Sequence, residues 1–193
     1  VNNMYGAISL MGQITNHATE ATALVSQLIT SIAAFQTKVS EHTDTVYLEL
    51  SPLADGMTTL GGGNIFSALL ALLGYHNEFE DQQGLLSVTQ DQVVGRSPDI
   101  ILSAARADSA TAETTPDPFL TPDPSATPDA APAALKGPAE ILARAEWAQV
   151  DAVKNNRVYY IDPALITRAG PRIIDGINAL YTALYESRQP ELP

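Results

Sequence analysis

The run Trp147-Ala-Gln-Val-Asp-Ala-Val-Lys-Asn-Asn-Arg-Val-Tyr-Tyr-Ile-Asp162 packs a helical turn, a polar stop and a buried strand into one short stretch. The same grammar recurs upstream. Val46-Tyr-Leu-Glu-Leu50 is a β-forming run ended by Ser51-Pro52, and an apolar helical stretch from Ile65 to Leu73 follows it, stopped by Gly74. Thr89 to Val94 reads as a short helix, Ser97-Pro98 breaks it, and Asp99-Ile-Ile-Leu102 is another buried strand. Arg172 to Glu186 closes the chain as a helix with Ile173, Ile177, Leu180 and Leu184 on one face. Strands that alternate with helices predict a mostly parallel sheet of about four or five strands, covered on both faces. The expected fold class is therefore α/β, a Rossmann-like three-layer lobe. Ligands of such sheets sit beyond the C-terminal ends of the strands.

A long helix is expected ahead of this lobe. From Ile14 to Glu41 there is no Gly or Pro, and Val25, Leu28, Ile29, Ile32, Phe35 and Val39 form the stripe of a half-buried helix. At about 1.5 Å per residue it would span roughly 40 Å, enough to link two lobes or to lie along its own. Residues 1–42 are thus expected as a linking element and 43–193 as the lobe. Inside the lobe, residues 104–136 are rich in Ala, Thr, Pro and Asp. Thr115-Pro-Asp-Pro118 recurs as Thr121-Pro-Asp-Pro124. That composition predicts a solvated, extended insertion, with a lid or partner-binding arm as the functional alternative.

Composition narrows the function. The net charge of -12 disfavours nucleic acid and anionic membrane surfaces as partners. The absence of cysteine removes disulfides, thiolate ligands and thiol nucleophiles together. No segment reads as a membrane span. No Ser/His/Asp arrangement or His/Glu cluster at metal-binding spacing is evident, and Asp44, Glu49 and Asp55 form no clear acid/base pair. An enzyme is the weaker expectation, and no cofactor and no metal are called for.

Several segments resemble one family in order and spacing. Tyr5-Gly-Ala-Ile-Ser-Leu-Met-Gly-Gln-Ile-Thr15 resembles the lead into its linking helix, and Ala21 to Leu28 the continuation. Thr59-Leu-Gly-Gly-Gly-Asn64 resembles its glycine-containing cleft loop, and Leu72-Leu-Gly-Tyr-His-Asn77 its glycine-glycine-x-asparagine. Val88-Thr-Gln-Asp91 through Ser97-Pro-Asp-Ile-Ile-Leu102 resembles its valine-serine-x-glutamate and proline-aspartate-isoleucine-isoleucine pair. The family is that of extracytoplasmic substrate-binding proteins of ABC importers, of the cobalamin, iron-siderophore and haem type. Tyr75 replaces the second glycine, Asp91 the glutamate, and Leu85 an aromatic residue on the cleft rim.

The resemblance implies the linking helix plus the C-terminal lobe of a two-lobed protein, periplasmic or lipid-anchored at the cell surface. It would bind a ferric siderophore, haem or corrinoid and deliver it to an ABC permease. Thr58, Thr59, Asn64, Leu85, Leu86, Arg168 and Arg172 are the candidate ligand-binding residues, with ordinary core as the alternative for Leu85 and Leu86 and a surface pair meeting excess acid as the alternative for the arginines. Asn64 is better suited to cap the following helix, and Thr59 to meet a ligand. The two arginines suit ligand carboxylates. Asp91 is the implied permease-docking acid, shorter by a methylene than the family's glutamate. Met57, Tyr75 and His76 are the nearest candidates for a haem ligand, while Tyr159, Tyr160, Tyr181 and Tyr185 read as packing residues and His17 and His42 as surface residues. Alternatives are a sensor or adhesin reusing the lobe and a metallochelatase-like enzyme subunit. As part of a two-lobed protein, the chain is expected to self-associate through the linking helix.

Overall fold

The computed structural model describes residues 2–51, 56–105, 137–168, 170 and 172–186. The Thr/Pro/Asp-rich insertion lies, from residue 106 on, outside the described residues.

Strands β1 (Thr45–Glu49), β3 (His76–Asn77), β5 (Ile100–Ser103) and β6 (Val158–Tyr160) form one parallel sheet in the order β3-β1-β5-β6. Strands β2 (Thr58–Leu60) and β4 (Leu85–Ser87) form a separate antiparallel ribbon. Alternation along the strands divides the core between the two faces of the sheet. Val46, Leu48, Ile100 and Leu102 pack with α2 (Ala18–Gln36), α3 (Ile65–Leu72) and α8 (Ile173–Tyr181). Tyr47, Ile101 and Val158 pack on the opposite face. Their partners include Val93 of α4 (Gln90–Arg96), Ile141 of α5 (Pro138–Leu142), Trp147, and Ala152 of α6 (Asp151–Lys154). The three-layer α/β lobe expected from the sequence is present.

The helix expected over 14–41 is shorter, Ala18–Gln36, and a separate helix precedes it. α1 (Asn2–Ile14) ends at a turn in which Asn16 takes a φ of 60°, His17 N donates to Gly12 O at 2.7 Å and Thr15 Oγ1 donates to Met11 O at 2.7 Å. Asparagine tolerates this left-handed conformation, and its neighbours satisfy the carbonyls that a helix end leaves open. The apolar stripe gave no sign of it because the stripe begins only after the break. α2 then spans 19 residues, about 28 Å at 1.5 Å per residue. By length and composition it could cross a membrane, against the sequence expectation; Leu28 and Ile32 are buried in the core of the lobe, and Ala21 packs on Gly12 of α1. The link from α2 into β1 holds another departure. His42, expected at the surface, stacks on Tyr75 with ring centroids 4.6 Å apart.

Side-chain caps fix the starts of α3 and α4. Asn64 accepts from Ser67 N at 3.1 Å at the start of α3, and Gly74, with φ 77°, closes the turn after it. Thr89 and Gln92 form a capping box on α4. The closing helix departs from ideal α geometry after Tyr181, where Thr182–Glu186 widens into a π turn.

Candidate functional site

The parallel strands β1, β5 and β6 end on one side of the lobe, and the segments leaving them build its edge. From β1 the chain passes Leu50 and Ser51 and returns as β2. β2 pairs with β4, setting Thr58 opposite Ser87, Thr59 opposite Leu86 and Leu60 opposite Leu85. Four of the expected ligand contacts, Thr58, Thr59, Leu85 and Leu86, thus lie in one ribbon, although the sequence presented them as two separate loops. The Ser51 and Thr58 hydroxyls, 2.9 Å apart, tie that ribbon to the end of β1.

The ribbon residues differ in what they present. Leu85 is 68% exposed. Leu86 is half-buried against the cluster that holds Met57 and Val88. Thr59 is fully buried, and its hydroxyl has no hydrogen-bond partner among the described residues, so it faces the interior instead of a ligand's polar rim. Thr58 spends its hydroxyl on Ser51. Asn64 spends both ends of its amide on the loop: Nδ2 donates to Gly61 O at 2.6 Å while Oδ1 caps α3. The Gly61-Gly62-Gly63 loop is clamped from below by Asn77, whose Nδ2 donates to Leu60 O and Gly61 O, both at 2.8 Å, and to Ser67 Oγ at 3.0 Å. Gly61 and Gly62 allow the 80–84 backbone to approach too closely for any side chain.

Arg168 and Arg172 are exposed on the segment joining α7 (Pro163–Ile166) to α8. Arg172 Nε donates to Asp175 Oδ2 at 3.2 Å, so part of its charge is already met. Two open grooves flank the first turn of α1. One, of about 510 Å³, lies against Asn64, Ile65 and Ser67; the other, of about 540 Å³ and mostly apolar, reaches Ala7, Met11 and Gly170. Asn3 and Met4 line both. The start of α1 therefore stands between the glycine loop and the arginine-bearing segment.

Of the haem-ligand candidates, Met57 and Tyr75 are buried, and Tyr75 donates its hydroxyl to Leu184 O at 3.1 Å. His76 is exposed at the start of β3, on the far side of the sheet from these loops. Among the described residues no group of His, Asp and Glu side chains is arranged to hold a metal ion. Asp91 is exposed in the first turn of α4, where its charge also suits the helix dipole.

One cluster is absent from the sequence expectations. Glu49, at the end of β1 and 2% exposed, receives paired hydrogen bonds from Arg144 at 2.7 and 2.9 Å. Arg144 also bonds Glu140 through Nε at 2.8 Å, and its guanidinium lies 4.3 Å from the Trp147 ring centroid. Two carboxylates share one cation. Burial raises the Glu49 carboxyl above its usual range, and the bonds from Arg144 offset this only in part. A signal was available: a carboxylate inside a buried strand requires a cation, and Glu140 and Arg144 sit at helical i, i+4 spacing.

A model of the family described as periplasmic binding protein matches residues 2–165. The chain belongs to that family. Its members are binding proteins, and membership places this one outside the cytoplasm, as the sequence implied. An ABC transporter substrate-binding lipoprotein of Bacillus subtilis (strain 168), YvrC, is 25% identical over 188 residues, which is 95% of this chain and 50% of that protein. A possible iron-binding (periplasmic solute-binding) protein from Staphylococcus epidermidis ATCC 12228 superposes with a TM-score of 0.73 at 24% identity, over 95% of this chain and 62% of the other. The periplasmic vitamin B12 binding protein BtuF of Vibrio cholerae superposes with a TM-score of 0.70 at 17% identity, over 97% and 62%. The chain thus spans about half the length of the curated relative it matches.

Proposed function

We propose that this chain is one lobe, with its linking helices, of a protein that captures a ferric siderophore, haem or corrinoid outside the cytoplasm and passes it to an ABC permease. The observation that carries this is the family match over residues 2–165 of a lobe whose loops gather at the C-terminal ends of a parallel sheet. The iron-binding and vitamin B12-binding proteins of the same fold support the iron and corrinoid part of that range.

A second lobe completes the cleft. On this lobe Leu85 gives apolar contact to a flat chelate or macrocycle, and Arg168 and Arg172 meet its carboxylates. Thr58, Thr59, Asn64 and Leu86 shape the wall behind them. Asp91 docks on a cation of the permease. Capture and release need no covalent chemistry, and the protein is not an enzyme. The test is a titration of the two-lobed protein with haem, cobalamin and ferric siderophores, read by absorbance and thermal shift.

The linking helices carry their own proposal. Glu20 is the only Asp, Glu, Lys or Arg in the first 36 residues. Leu10, Met11, Ile14 and Ile29 are exposed there, Ile14 by 70%. An uncharged apolar face on an otherwise acidic chain favours self-association when the second lobe is absent. Light scattering over a range of concentrations tests this, and a monomer at high concentration contradicts it.

A further inference from the structure

Four side chains connect α4 to the end of β1. Trp147 Nε1 donates to Gln90 Oε1 at 3.2 Å. The indole lies under the Arg144 guanidinium, 4.3 Å from ring centroid to carbon. Arg144, 6% exposed, grips Glu49 through both arms of its fork at 2.7 and 2.9 Å. Gln90 is the first residue of α4 and the neighbour of Asp91. Glu49 is the last residue of β1, two before the serine that ties down the β2–β4 ribbon.

We infer that Arg144 is a positioning residue that locks the Asp91-bearing start of α4 to the end of β1 from which the ribbon springs. This rests on the proposed docking role of Asp91. The link is stiff for electrostatic reasons. If the end of β1 moves away from Arg144, buried charges lose their partners, a far larger penalty than the pair's net contribution. If α4 moves away from Trp147, a largely buried indole N–H loses its acceptor. A displacement at the docking surface is therefore transmitted to the ribbon, and the reverse.

The test is a double-mutant cycle on the whole chain, read by hydrogen exchange of the α4 amides against those of β5, which report global opening. Gln90→Ala breaks the link at α4 and leaves the charged cluster intact. Arg144→Lys keeps the charge and loses the fork. Each single substitution is expected to speed α4 exchange by roughly threefold to thirtyfold, the range of measured coupling effects. With Gln90 already replaced, Arg144→Lys is expected to add nothing at α4. Additive effects, or α4 exchange that changes only in step with β5, overturn the inference. If Arg144→Lys does not fold, Glu49→Leu with Glu140→Leu and Arg144→Met removes the cluster without leaving a buried charge, and the same cycle applies. Binding of Asp91→Asn to the permease is measured separately. If it binds unchanged, the docking role fails, while the exchange cycle still decides whether the link exists.

Discussion

Arg144 is bonded to two acids of one partly buried cluster, Glu49 and Glu140. Removing it leaves Glu49 and Glu140 facing each other with no cation, one of them fully interior. Arg144→Met is therefore expected to cost about 3–5 kcal/mol in urea denaturation, the usual penalty for breaking a buried pair from one side. Glu49 behaves differently. Its carboxyl is raised by burial, so the folded state keeps the proton to higher pH than the unfolded chain does. The folded protein then binds more protons across the window above the ordinary carboxylate range, and stability falls as pH rises through it. Glu49→Gln removes that slope. Urea midpoints at pH 5 and pH 8 check this: the variant should gain on the wild type at the higher pH, and an unchanged difference would contradict it. Asn77 offers a third case, since its Nδ2 bonds the carbonyls of Leu60 and Gly61 and the Ser67 hydroxyl together. Asn77→Ala is expected to cost roughly 2–3 kcal/mol, at about 1 kcal/mol per lost hydrogen bond.

At the level of elements, the layers of the lobe were readable because β1, β5 and β6 are apolar runs rich in β-branched and aromatic residues, each starting just after Asp44, Asp99 or Asn156. The break between α1 and α2 was not readable, because it rests on one left-handed asparagine and a hydroxyl-to-carbonyl bond that leave the hydrophobic period untouched. The ribbon was missed for a related reason. Thr58–Leu60 and Leu85–Ser87 are three residues each, too short to show a period, and their pairing depends on Asn77 and the glycine contacts far away in sequence. The candidate site was legible as a set of segments but not as side chains. The sequence could name Asn64 as a helix cap, which it is, but only packing shows that Thr59 is turned inward. Leu85 remains outward. Leu85→Asp is expected to change the stability of the lobe by no more than about 0.5 kcal/mol, as for an exposed position. In the two-lobed protein it should weaken ligand binding by about tenfold or more, from the lost apolar burial. Calorimetry and urea melts of the same variant separate the two effects. Deleting residues 107–133 is expected to leave ligand affinity unchanged. Lost partner binding with ligand affinity intact would favour the interaction-protein alternative.

For the molecule as a whole, the proposed function makes this chain one lobe of a cleft whose work depends on a second. In that proposal the parallel sheet is the base, the loops at its C-terminal edge are one wall, and the α1–α2 pair, with Glu20 as its single acid, is the apolar surface on which another body rests. The measurement that tests this most directly is a thermal-shift and absorbance titration of the two-lobed protein with haem, cobalamin and ferric siderophores. The proposal predicts that one of them stabilises the protein by about 2.7 kcal/mol at a hundred times its dissociation constant. No stabilisation by any of them, up to millimolar concentration and with the protein folded, would contradict it.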